Sequence, residues 1–150
     1  MANTSAVCTS FKVELLKGEH NFTASTGDTF KIALYTSSAT LGAATTDYAT
    51  GNEVTNTSGT AYTAGGASLT SVTPVADSTT AVCDFADVSW TSASFTANAC
   101  LIYNTTTGTG SGTTDSVCAV AFGGDKTVSS GTFTIQFPTA DASDAILRIA

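Results

Sequence analysis

"DTFKIALYT", Asp28 to Thr36, decides the fold class. Phe30, Ile32 and Leu34 point one way, and Lys31, Ala33 and Tyr35 the other. A period of two belongs to a strand, because successive side chains leave a pleated backbone on opposite faces. The segment reads as a half-buried strand. The same period returns downstream. In "SFTANACLIYN", Phe95, Ala97, Ala99, Leu101 and Tyr103 share one face, and its small alanines call for a large neighbour such as Trp90. "TAVCDFADVSW" puts Val82 and Asp84 on one face and Ala81, Cys83 and Phe85 on the other, with a short continuation from Asp87 to Trp90. "SVCAVAF" follows, then "GTFTIQFP", where Phe133, Ile135 and Phe137 align and Pro138 ends the run. "AILRIA" closes the chain.

Turn residues punctuate these runs. Gly65-Gly66 divides "AYTAGGASLTSVTPV" into two short extended pieces, and Pro74 ends the second or puts it at a sheet edge. "FGGDK", around Gly123-Gly124, reads as a tight turn. "TTTGTGSGTTD", Thr105 to Asp115, reads as a flexible hairpin tip. The stretch from Ser37 to Asn52 allows one helical turn near Thr45 to Tyr48. A different period appears only at the start. Val7, Phe11 and Leu15 recur every fourth position with Leu16 beside the last, Asn3 or Ser5 can cap the start, and Gly18 sits at a C-cap. The expected architecture is all-β: a single antiparallel sandwich or jelly-roll-like domain of about eight strands with one short N-terminal helix. Residues 1–18 form the helix or a docking arm, and 28–150 the β-sandwich.

Composition agrees. A chain of 150 residues is the size of one domain. Charged residues are only 11%, and Ser and Thr fill roughly a third of positions, well above ordinary usage. Thr's branched Cβ favours strands. The net charge of −7 leaves five cations, too few for a basic stripe or a polybasic patch, so neither nucleic acid nor a membrane surface is expected as a partner. The N-terminus lacks the basic and apolar regions of a secretory signal. On that reading the N-x-[ST] matches at Asn3, Asn21, Asn56 and Asn104 are chance in a Thr-rich chain.

Candidate chemistry is sparse, and neither a catalytic residue, a metal site nor a cofactor is expected. Cys8, Cys83, Cys100 and Cys118 form no C-x-x-C pair and read as buried free thiols. His20 reads as an exposed loop residue. Asp84 with Asp87, and Asp141 with Asp144, could serve as acid–base or calcium pairs, but a surface or turn role is the simpler reading. Tyr35, Tyr48, Tyr62, Tyr103 and Trp90 lie on separate runs, which suits packing better than a sugar-binding platform.

Several stretches together resemble a family of small structural proteins of tailed bacteriophages: "FKVELLKGEHNF", "DTFKIALYTSSATLG", "AYTAGGASL", "DFADVSW", "LIYN", "FGGDKTVSSGTFTIQFP" and "AILRIA". They span nearly the whole chain. Cys83, Cys100, Cys118 and Asn98 depart from the pattern. The resemblance implies a non-enzymatic virion component, foremost a capsid decoration or cement protein on the head surface. Its partners would be the phage major capsid protein and further copies of itself. A tail- or fibre-associated adhesion module and a carbohydrate-binding β domain are the alternatives. The docking residues expected are Val7, Phe11, Leu15 and Leu16, on an arm outside the strand series. Ile146, Leu147 and Ile149 are expected either to close the chain's own sheet, buried on both faces, or to extend a neighbour's. Internal closure is favoured, with Arg148 reaching a carboxylate at the rim.

Overall fold

The computed structural model describes residues 2–55, 61–106 and 113–150. Eight strands and one helix follow in the order β1 (Ala6–Val7), α1 (Thr9–Lys17), β2 (Phe30–Tyr35), β3 (Ala67–Ser68), β4 (Ser71–Asp77), β5 (Thr80–Phe85), β6 (Val88–Asn104), β7 (Ser116–Ile135) and β8 (Leu147–Ile149). They form two antiparallel sheets, one ordered β1-β7-β6-β2-β3 and the other β4-β5-β8. The all-β, two-sheet sandwich read from the sequence is therefore the architecture, around one hydrophobic cluster.

The strand count hides a different division of the chain. "SVCAVAF" and "GTFTIQFP" are one strand, β7, and the continuation from Asp87 belongs to the strand of "SFTANACLIYN" as β6. "FGGDK" is not a turn. Ala97 pairs with Lys126 and Ala99 with Ala121, so residues 122–125 bulge opposite Asn98 while the ladder resumes beyond them. Gly123 (φ 73°) and Gly124 (φ 143°) take the backbone conformations this bulge requires. Turn chemistry in the sequence cannot distinguish a bulge from a reversal when the partner strand runs on.

Burial differs along this ribbon. From Val88 to Thr96 outward residues alternate with buried ones, but Ala99 to Asn104 are buried on both faces. β2 is also buried on both faces, with only Lys31 half-buried, which corrects the half-buried reading. The loop after β2 supplies the extra cover. The Val54 amide donates to the Leu34 carbonyl, and the Leu34 amide donates to the Tyr62 hydroxyl. Residues 43–48 carry turns and an isolated bridge from Asp47 to Asp115, and no helix. Gly66 (φ 74°) stands where a Cβ would lie 1.8 Å from the Ile32 carbonyl oxygen, so only glycine fits. The tip expected at Thr105 to Asp115 lies partly outside the described residues, as does Asn56.

The N-terminal segment is built into the sheet, which corrects the expectation of a separate arm. Ala6 and Val7 pair with Ala119 and Cys118 of β7. Asn3 and Ser5 do not cap the helix. The Asn3 amide donates to the Thr36 carbonyl and Asn98 Oδ1, its oxygen accepts from the Leu41 amide, and Ser5 Oγ accepts from the Ala121 amide. Cys8 takes the N-cap position without a side-chain capping bond, while Gly18 ends the helix in the αL conformation as expected, its amide donating to Glu14 and Leu15 carbonyls.

β4 carries Pro74 and a register shift between Val72 and Val75 at a sheet edge, as its proline required. The terminal strand β8 closes the chain's own smaller sheet, pairing Leu147, Arg148 and Ile149 with Cys83, Val82 and Ala81. Burial on both faces does not follow. Ile146 and Leu147 are half-buried, whereas Ile149 is 61% exposed because β8 is an edge strand whose end overhangs the core. Arg148 donates to the Ala142 carbonyl rather than to a carboxylate.

Candidate docking groove

Two of the segments singled out in the sequence meet at one place. Phe11 is anchored by rings: it packs on His20 (centroids 4.8 Å) and edge-on to Phe22 (6.0 Å), Phe22 stacks on Phe30 (4.4 Å), and both touch Phe85 of β5. This aromatic row ties α1 to both sheets. It leaves an apolar groove of about 600 Å³ between the β1–α1 segment and the β4-β5-β8 sheet. Val7, Phe11 and Leu15 form one wall and Leu147 and Ile149 the other, with Pro74, Ala81 and Val82 completing it. Five of the seven residues predicted to dock or assemble thus line a single feature. Leu16, 91% exposed, points away from it, and Ile146 packs against the core instead.

Two structural facts define what this groove offers. Among the described residues β8 pairs with β5 on one side and with no strand on the other, so the groove borders an open sheet edge. The charged residues lining it are Lys12 and Arg148, both cationic, in a chain of net charge −7. Lys12 sits there because positions 8, 11, 12 and 15 share a helical face. A second cleft, about 560 Å³, is lined chiefly by small residues and backbone of the segment after β2, with Asp47 its ionisable carboxylate.

His20 and Glu53 sit in two buried hydrogen-bond networks. His20 is 8% exposed, which corrects the exposed-loop reading. Its Nδ1 accepts from the Asn104 amide (3.0 Å), so the proton lies on Nε2, which donates to Glu14 Oε2 (2.9 Å). Asn104 is oriented by donating also to Asp28 and accepting from the Thr106 amide. Glu53 is a second buried carboxylate. It accepts from the hydroxyls of Tyr48 (2.7 Å) and Tyr62 (2.6 Å) and from the Gly65 amide (2.7 Å). Burial, and after it the Glu53 charge, push the Tyr103 hydroxyl up to about 12. No local pattern announces the His20 network, because His20 and Asn104 lie 84 positions apart.

The other candidates resolve simply. Asp84 accepts from the Phe85 amide, Asp87 from the Phe137 amide, and Asp141 from the Ser143 and Asp144 amides in the turn role expected of it. Tyr35, Tyr62, Tyr103 and Trp90 are buried and Tyr48 is half-buried, stacked on Tyr103 at 4.6 Å, so these five make no exposed platform. All four cysteines are free and buried, and burial raises the thiols of Cys83 and Cys100 to about 12. Among the described residues no three or more His, Cys, Asp or Glu side chains are grouped so as to hold a metal ion. Asn3 and Asn104 are buried in hydrogen bonds that a glycan would break.

In comparisons with known proteins, no family model, no characterised protein and no solved structure matches this chain.

Proposed function

We propose that this chain is a non-enzymatic structural component of a tailed-phage particle, a decoration or cement protein that docks on the head shell in many copies. The observation that carries the reading is the apolar groove in which Val7, Phe11 and Leu15 meet Leu147 and Ile149. Apolar side chains left at a sheet edge cost solubility unless a partner covers them. Phe11 and Leu15 lie in "FKVELLKGEHNF" and Leu147 and Ile149 in "AILRIA", two of the seven stretches through which the sequence resembles phage structural proteins.

The rest of the molecule supports the reading. Buried His20 is held by Glu14 and Asn104, and buried Glu53 by the Tyr48 and Tyr62 hydroxyls and the Gly65 amide. Short hydroxyl side chains dominate the outer face of the β6–β7 ribbon, where Ser89 pairs with Thr134 and Thr96 with Thr127. Such residues lose little rotamer freedom when a repeated surface closes over them. Quantitative mass spectrometry of purified particles tests the role. A fixed simple ratio to the major shell subunit is the expected result. A few copies per particle would assign the chain to the tail or a fibre, and absence from particles would overturn the virion reading.

A further inference from the structure

The groove also carries information about what lies in it. We infer that its occupant is an extended apolar segment bearing carboxylates, laid alongside β8 as a fourth strand of the β4-β5-β8 sheet. This inference rests on the docking reading above and names the chemistry of the partner's contacting segment.

The open edge is the first argument. A strand edge presents unpaired main-chain donors and acceptors, and an added strand satisfies them while alternate side chains fill adjoining pockets. The opposite edge of the same sheet is defended. β4 carries Pro74, which has no N–H, its register slips between Val72 and Val75, and Thr73 Oγ1 accepts from the Ala24 amide. β8 has neither proline nor register shift. One edge is closed to pairing and the other is left open beside an apolar trough.

Charge is the second argument. Lys12 and Arg148 flank the trough, one on each wall, and no acidic residue lines it. The carboxylates near it along the chain are turned to other work: Glu14 accepts from His20, Asp84 from the Phe85 amide, Asp77 from the Ala142 amide and Asp141 from the Ser143 and Asp144 amides. Asp144 is exposed in that turn and outside the lining. A segment with Asp or Glu between apolar residues matches both walls, whereas a basic one meets two like charges.

The same arrangement disfavours a second copy of this chain at the site. Two β8 strands paired antiparallel about their middle residue would set Arg148 opposite Arg148, and like charges directly opposed on neighbouring strands repel. That self-pairing is disfavoured, and the occupant we infer is a strand of another protein.

Amide chemical-shift mapping of the isotope-labelled full-length chain tests this with three capped synthetic peptides. One alternates Val and Glu, the second alternates Val and Lys, and the third repeats the first with alternate backbone amides N-methylated so that it cannot pair. The Val/Glu peptide is expected to shift Val7, Lys12 and Leu147 to Ile149. The other two should bind weaker by about tenfold or more. Arg148→Glu, or Lys12→Glu should the first fold poorly, is expected to reverse the charge preference. Equal binding of the Lys peptide or of the N-methylated peptide, or no shift at β8, would overturn the inference. Concentration-dependent shifts at β8 without any peptide would overturn it in favour of self-pairing. Copy number in particles is independent of these results: a failed peptide series beside a fixed ratio to the shell subunit removes only the strand chemistry.

Discussion

The two sheets treat their apolar residues in opposite ways. In the five-stranded sheet, Ile32, Leu34, Leu101 and Ile102 are completely enclosed, and the covering loop brings its own polar anchor in Glu53. In the three-stranded sheet, Val72, Val75 and Ile149 are among the most exposed large hydrophobic residues described. These four side chains of the first sheet are committed within the chain, whereas part of the second's apolar area, together with Val7 of β1, is available to something else. If docking uses the groove as proposed, substitutions in the core of the larger sheet and along the groove should separate stability from docking.

Leu101→Ala gives the largest effect on the stable side. It empties a fully buried site in the central strand and should cost about 4 kcal/mol of unfolding free energy, read from urea denaturation. A loss below about 1 kcal/mol would mean that the larger sheet is not the seat of stability. Glu53→Ala comes next. It strands the hydroxyls of Tyr48 and Tyr62 and the Gly65 amide, for a loss of about 3 kcal/mol. Alkaline pH acts through both sheets. The thiols of Cys83 and Cys100 hold their protons up to about 12 when folded, but ionise near 9 when exposed. The unfolded chain releases these protons first, so stability falls as pH rises through that window. Urea midpoints measured across it should decline, and less steeply in Cys100→Ala. The smallest effect on stability belongs to Ile149→Asp, within about 0.5 kcal/mol because the side chain is mostly in solvent.

Strand existence was legible because alternation is a local property. "DTFKIALYT" and "SFTANACLIYN" carry their period whatever surrounds them. What covers each face is not local. β2 reads as half-buried because nothing in Lys31, Ala33 and Tyr35 announces that Tyr62 and Val54 return to cover it. Gly123-Gly124 signals backbone freedom, but whether that freedom makes a turn or a bulge depends on the partner strand. His20 shows the same limit, since its partners Glu14 and Asn104 are assembled only by folding. The groove was half legible. Helical spacing found Phe11 and Leu15, whereas Val7, read as part of the same helix, lies in β1; the apolar terminus pointed to Leu147 and Ile149. That the two sets face each other, and that Leu16 does not join them, is decided by how the aromatic row seats α1.

That division can be tested in one measurement: the occupancy of purified particles by the wild-type chain, Ile149→Asp and Leu16→Asp, each quantified by mass spectrometry against the major shell subunit. The wild type and Leu16→Asp should occupy particles at the same fixed ratio. Ile149→Asp should fall by about tenfold or more while its urea midpoint stays unchanged. Equal occupancy by all three chains would contradict the assignment of docking to the groove.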